Sequence, residues 1–156
     1  MKLDRLDRRI LAVLQEDGRI ANADLADKVG LSPSACLRRV RMLEEAGVID
    51  RYVALLDQHK IQRRMDIFVE ISLTSQASEV LEAFERAVAR SSEIMECYLM
   101  AGDADYILRI AAADPGDFER IHRDHLSRLP GVTRMRSSFA IRTVTRKTAF
   151  VLDVED

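Results

Sequence analysis

The sequence predicts an α+β protein in two parts, on three observations. Apolar residues recur at helical spacing three times before Gly47. From Ile67 they alternate with polar ones, at the period of a strand. Beyond that the two periods trade places in the order strand, helix, strand, strand, helix, strand. The first part therefore reads as three short helices that bury one stripe each. The second reads as a βαββαβ chain, the ferredoxin-like plan, with two helices on one face of an antiparallel sheet.

Asp4 is placed to cap the first helix, in which Leu3, Leu6, Ile10, Val13 and Leu14 keep helical spacing until Asp17-Gly18. Asn22 is placed to cap the second, whose apolar positions are Leu25, Ala26 and Val29, before a turn at Gly30. The third helix carries the strongest signals. Ser32 can accept from backbone N–H groups of the first turn, Pro33 sits where a missing N–H costs nothing, and Gly47 can end the helix left-handed. Cys36, Leu37, Val40 and Leu43 form one stripe, expected to be buried. Ser34, Arg38, Arg41 and Glu45 form another, with Arg39 beside it. A short apolar helix, a glycine turn and a basic helix make a helix-turn-helix, whose second helix presents its N-terminal residues to base edges in the DNA major groove. The plainer account is a solvated amphipathic helix.

After Gly47, residues 48–57 look extended, as a wing strand, a linker strand or both. Residues 58–66 are polar and basic without clear period and hold the boundary: 1–50 form the helical domain, 51–65 a linker strand and 66–156 the sheet domain. In that domain Ile67, Val69, Ile71 and Leu73 mark a first strand, and Val80, Leu81, Phe84, Ala87 and Val88 a helix ending near Ser91. Ile94 to Met100 and Tyr106 to Ala112 make a hairpin about the Gly102-Asp103-Ala104-Asp105 turn. Asp114-Pro115 opens a second helix with Phe118, Ile121, His125 and Leu129 on one stripe, stopped at Pro130-Gly131. Val132 to Val144 is a last strand, and Thr145 to Asp156 a further strand with an acidic tail. Depending on register, Phe68, Tyr98, Met100 and Phe139 fall on the sheet face without helices, which then needs a cover; a second copy is the commonest one.

With 47% hydrophobic residues the 156-residue chain can pack a core, and its 32% charged residues nearly cancel at a net −2. A DNA-binding face must therefore be local, against a more acidic remainder. Cys36 and Cys97 sit in apolar patterns and read as buried free thiols, which suits a reducing cytoplasm. The N-terminus lacks a signal peptide's apolar run, and no stretch reaches the roughly 20 apolar residues of a membrane span.

Arg38 and Arg41 are the base-reading candidates, because a guanidinium donates two parallel bonds to guanine. Ser32, Ser34 and Arg39 suit phosphates. The competing account pairs the arginines with Glu44 or Glu45 at helical spacing. In the hairpin turn, Gly102 opens the backbone, N–H groups suit a carboxylate, and Asp103 or Asp105 suits an ammonium. Plain turn chemistry accounts for the same residues. His122 and His125 have a metal-compatible spacing but no further ligand in sequence, so no metal and no cofactor is expected, and no catalytic group.

The whole pattern resembles one family, the leucine-responsive/asparagine-responsive, or feast/famine, regulators of bacteria and archaea. Leu3 to Leu11 is similar to its first helix. Gly30-Leu31-Ser32-Pro33-Ser34 with Arg38-Arg39-Val40 and Leu43-Glu44 resembles its recognition helix. Glu96-Cys97-Tyr98, Ala101 to Tyr106 and Leu129-Pro130-Gly131-Val132 resemble its effector domain. The resemblance implies a winged helix-turn-helix on double-stranded DNA and control of amino-acid metabolism. It implies dimers through the sheet domain that assemble to octamers, and an amino-acid effector near the hairpin between dimers. On that basis Met100, Gly102, Asp103 and Asp105 are effector candidates, with Ser137 and Ser138 from a neighbouring subunit. Ala104 departs from the family, where a larger residue is common, which leaves the effector's identity open. The alternative function is a metabolite-binding subunit or small enzyme on a ferredoxin-like scaffold.

Overall fold

In the computed structural model, which describes residues 1–152, the helices begin where their caps dictate. Asp4 accepts from the Asp7 N–H at 2.8 Å and the Asp7 carboxylate accepts from the Asp4 N–H at 3.1 Å, a reciprocal box that starts α1 (Arg5–Glu16). α2 (Asn22–Val29) starts differently from the sequence reading. Ala21 holds the extended cap position, so Asn22 lies inside the helix, where its Nδ2 donates to the Pro33 carbonyl at 2.9 Å. Asn22 thus ties the start of α2 to the start of α3 (Pro33–Glu45) instead of capping its own helix. Between them Gly30 is left-handed at φ 73°, and the Leu31 N–H bonds back to Ala26 at 2.9 Å. Ser32 Oγ caps α3 on the Ala35 N–H at 3.3 Å.

Ile10, Leu25, Ala26, Val29, Cys36 and Leu43 close the helical core. Burying one aliphatic side chain the size of Val, Leu or Ile stabilises by about 1.5–3 kcal/mol, so this cluster favours the packing of the three short helices. Two members of the expected α3 stripe do not sit in it fully: Val40 is half-buried and Leu37 is exposed. No strand follows α3, because the helical unit offers no second strand to pair with. Tyr52 instead lies over Gly18, where an added Cβ would stand 3.3 Å from its ring, and donates from its hydroxyl to Glu44 at 2.9 Å.

The chain divides into two units, Met1–Leu55 with the tail from Thr145, and Leu56–Val144. The tail lacks the expected strand over its described residues, and 153–156 lie outside them. Gln15 takes both backbone groups of Phe150, with N–H to Oε1 at 2.7 Å and Nε2 to O at 3.1 Å, so a single side chain supplies the bonds that a strand would have made. Leu152 packs on the helical core.

In the second unit the expected linker strand is replaced by a turn near 58–62, and β1 (Met65–Leu73) starts the sheet. α4 (Ser78–Ala89), β2 (Ile94–Leu99), β3 (Tyr106–Ala112), α5 (Pro115–Asp124) and β4 (Val132–Phe139) follow in the expected order. The sheet runs β2-β3-β1-β4, antiparallel throughout. β4 stops at Phe139, before the expected Val144; the Ala140 N–H makes a last bond to Asp66 O at 2.9 Å. α5 also stops early, and a short 3-10 turn over Leu126–Arg128 buries Leu126 in place of continuing the stripe through His125. Ile67, Val69 and Ile71 of β1, with Tyr106, Leu108 and Ile110 of β3, face the helices. Gly131 is left-handed at φ 73°, and a Cβ there would meet Val80 at 3.0 Å, so the approach to β4 requires glycine.

The register decides the faces. Phe68 and Tyr98 lie on the side away from the helices, as expected. Phe139 does not: it pairs with Ile67 on the helix side, its ring 5.3 Å from Phe118 and nearly perpendicular to it. The open face also carries a charged chain. Arg109 bonds Asp66 and Glu96, each at 2.8 Å, and Tyr98 donates to Glu96 at 2.8 Å.

Candidate nucleic-acid interface and effector turn

Acidic and basic residues balance over the first fifty positions, so any attraction for DNA has to come from which side chains are left free. Arg38 and Arg41 are exposed and make no ion pair or hydrogen bond through their side chains among the described residues. Glu44, one of the two expected competitors, is taken by the Tyr52 hydroxyl. That contact, after burial, pushes the Tyr52 phenol up to about 12. Ser32 and Ser34 are exposed at the helix start with their hydroxyls 3.3 Å apart, where backbone N–H groups and the positive end of the helix point outward.

Arg39 is placed differently from its neighbours. Its Nη1 sits 2.7 Å from both Asp4 and Asp7, the two carboxylates of the α1 capping box. The bond to Asp4, then that to Asp7, strengthens the guanidinium's hold on its proton. The Asp7 side chain is only 5% exposed, so this arginine neutralises a nearly buried charge and locks α3 against the start of α1. A phosphate role for Arg39 competes with that clamp. Nothing in the spacing of α3 signals it, because both partners lie more than thirty residues upstream.

The hairpin turn separates its residues into two kinds. Asp105 is committed to the fold: Oδ2 accepts from the Leu73 N–H at 2.7 Å and Oδ1 from Gln76 Nε2 at 2.8 Å. The Leu73 bond first, then that from Gln76, hold its carboxyl below the usual carboxylate range. Its main chain is fixed as well, through bonds to Ile71 O and from the Met100 N–H, each 2.8 Å. Asp105 therefore ties the hairpin to β1 and has little capacity left for an ammonium. Met100, Gly102 and Asp103 remain exposed, and a Cβ on Gly102 would touch nothing.

Ser137 and Ser138 do not come together. Ser138 pairs with Phe68 and lies on the open face; Ser137 pairs with Val69 and lies half-buried on the helix face. The open face supplies a residue that the sequence reading missed. Arg136, opposite Glu70, bonds it at 2.6 Å. Glu70 through that bond, and Asp103 through space, both stabilise the Arg136 cation. The exposed turn thus has an arginine beside its aspartate, a complement for the two charges of a zwitterion. The signal was hidden because only the β1–β4 register brings residue 136 to that end of the sheet.

A cavity of about 400 Å³ opens between α4 and β2, lined among others by Glu85, Glu96, Cys97, Leu99 and Tyr106. Its lining contains carboxylates but no lysine or arginine, so it offers an amino acid's carboxylate no cationic side chain. Burial, then Glu85, pushes the Cys97 thiol up to about 11, which keeps it protonated and unreactive at neutral pH. Cys36 is buried, and burial raises its thiol too. His122 stands edge-on to Phe118 with ring centres 6.2 Å apart, and His125 Nδ1 is 3.5 Å from Ser91 Oγ. Among the described residues no group of three or more His, Cys, Asp or Glu could hold a metal, and no helix is long and apolar enough to cross a membrane.

Comparison with known proteins matches both parts of the chain. Residues 3–50 match the winged helix-turn-helix DNA-binding domain, and residues 66–150 the Lrp/AsnC ligand binding domain. The leucine-responsive regulatory protein of Escherichia coli (strain K12) is 43% identical over 150 residues, which are 96% of this chain and 92% of that one. A crystal structure of an AsnC family transcriptional regulator from Agrobacterium tumefaciens superposes with a TM-score of 0.92 at 40% identity, covering 97% of this chain and 98% of the other. A transcriptional regulator from Neisseria meningitidis, crystallised in complex with L-Met, gives a TM-score of 0.91 at 35% identity over the same shares.

Proposed function

Because the chain belongs to the Lrp/AsnC family of transcription regulators, we propose that α3 enters the DNA major groove and that Arg38 and Arg41 read base edges there. The carrying observation is their freedom: among the described residues both are exposed and unpaired, on a helix held by Asn22, Ser32 and Arg39. Ser32 and Ser34 position the helix on phosphates. Arg39 holds the helix and does not read DNA.

The effector is a small amino acid. Its ammonium meets Asp103, and its carboxylate meets Arg136 and the backbone N–H groups of the Gly102 turn. Met100 and Ser138 border that site, whereas Asp105 shapes it. The named L-Met complex of the Neisseria meningitidis regulator supports an amino acid as ligand class. The open sheet face, with exposed Phe68 and Tyr98, is covered by a second copy, and dimers assemble further to an octamer. The protein acts in the cytoplasm on genes of amino-acid metabolism, as a regulator and not as an enzyme.

The test is fluorescence anisotropy on a duplex selected by the protein from random DNA, at stated salt, with each of the twenty amino acids added. We expect tight, sequence-dependent binding that one or a few amino acids shift. Equal affinity for selected and scrambled duplexes would contradict the DNA reading. An unchanged titration with all twenty amino acids would contradict the effector reading.

A further inference from the structure

We infer that Leu37 is a specificity-determining side chain that seats against the C5 methyl group of a thymine in the major groove. The inference rests on the reading of α3 as the helix that enters the groove, and it begins from a failure of the helical pattern. Leu37 belongs by composition to the core stripe of α3, yet it is 40% exposed while Cys36 and Leu43 are 0% exposed. It is absent from the residues that pack on the helical core, even among the partly buried ones. Leu37 therefore leaves a substantial part of its side chain open to solvent, beside the fully buried Cys36 and Leu43.

Its surroundings point to a use for it. Leu37 lies three residues after Ser34, one before Arg38 and four before Arg41. On a helix the three- and four-residue spacings to Ser34 and Arg41 make neighbours, so an alkyl side chain stands at the edge of the hydroxyl and guanidinium face, with Arg38 a step further round. A protein partner would require a contiguous apolar patch. The other large apolar side chain exposed on α3, Met42, is five residues on and so points elsewhere. The face that Leu37 borders is cationic and polar, with Leu37 as its large aliphatic side chain in the N-terminal half. The major groove has the complementary make-up: guanine O6 and N7 acceptors, phosphates along the rim, and one apolar group, the thymine methyl. An arginine cannot read that methyl, and a leucine can. Cytosine carries only a hydrogen there, so contact with Leu37 favours thymine at a base pair next to those read by Arg38 and Arg41.

The experiment uses the full chain and the duplex it selects from random DNA. Each thymine is replaced singly by deoxyuridine, which removes the methyl and keeps the base pair, and affinity is measured by anisotropy at fixed salt. We expect one thymine in the contacted region whose replacement weakens wild-type binding about fourfold, the worth of one buried methyl-sized group. Leu37→Ala should bind the thymine and uracil duplexes equally, with a cooperative thermal transition that shows the variant still folded. Selected sites without thymine in that region, a wild type indifferent to every uracil, or a Leu37→Ala protein that keeps the full uracil penalty would each overturn the inference. Arg38→Ala separates this from the underlying reading. If that variant loses discrimination while uracil has no effect, only the role of Leu37 falls; if it keeps full discrimination, the placement of α3 falls with it.

Discussion

The recognition helix and the hairpin turn offer the same kind of signal in sequence, a short run of charged residues beside a glycine, and the structure treats them in opposite ways. On α3 the charged residues proposed to meet a ligand, Arg38 and Arg41, are free, and their neighbour Arg39 carries the structural load. In the turn the carboxylate best placed by sequence, Asp105, is tied to the fold, and Asp103 is exposed, with Arg136 in its field. Residue type and spacing thus mark a functional stretch but do not say which member holds the stretch in shape. That depends on partners distant in the chain: Asp4 and Asp7 for Arg39, Leu73 and Gln76 for Asp105.

The sharpest break of this comparison is on the structural arginine. Arg39→Ala leaves the nearly buried Asp7 without its cation, and we expect a loss of roughly 1–3 kcal/mol in chemical denaturation. Arg38→Ala and Arg41→Ala should leave the same curve unmoved. A stability equal to wild type in Arg39→Ala would remove the distinction between the neighbours.

In the turn the roles reverse. Asp103→Ala should abolish the shift of DNA affinity by amino acid while leaving Tm where it is. Asp105→Ala should lower Tm by freeing the hairpin from β1, and it weakens the effector response only through that loosening. Arg136→Ala should raise the amino acid concentration needed for a response. Parallel thermal-shift and anisotropy titrations of the three variants decide it; an Asp105→Ala protein with native Tm and no effector response would return that residue to the ligand.

The smallest effect is on the acid limb of stability. Asp105 has a folded-state pKa below its ordinary 3.8, so the native state binds fewer protons than the unfolded chain there. Its contribution is complete above 3.8 and is lost as pH falls through the lower, folded value. Asp66 adds in the same direction: burial works against its charge, but bonds from Gln58, Arg109 and Thr143 outweigh that. Wild type should therefore lose stability more steeply than Asp105→Asn below about pH 4, as denaturation at a series of pH values would show. Identical slopes would mean that the Leu73 and Gln76 bonds do not persist in solution.

Much of the fold was legible because its signals are local. The caps Asp4, Ser32 and Asp114, the stop at Gly30 and the alternation of β1 are set by neighbours within one turn or one strand. What was not legible depends on pairing across the chain. Strand alternation alone puts Ser137 and Ser138 on opposite faces, but only the β1–β4 register says which one faces the helices, and the same register puts Phe139 on the helix side and Arg136 on the open side. Residues 48–57 and 145–152 have strand-like composition, but strands exist only with a ladder partner, and the side chains of Tyr52 and Gln15 make bonds there instead, one from Tyr52 and two from Gln15. Leu37 misled for another reason: helical period counts an apolar residue toward the core whether or not the core has room for it.

The central claim is that free arginines on α3 read DNA while a tied one holds the helix. Its most direct measurement is the ratio of affinities for the selected duplex and a scrambled one, for wild type, Arg38→Ala and Arg39→Lys, at one salt concentration. We predict that Arg38→Ala loses about tenfold in that ratio with an unchanged Tm, the worth of one bidentate base contact. Arg39→Lys should keep most of the ratio while its Tm falls. A ratio preserved in Arg38→Ala and lost in Arg39→Lys would contradict the account.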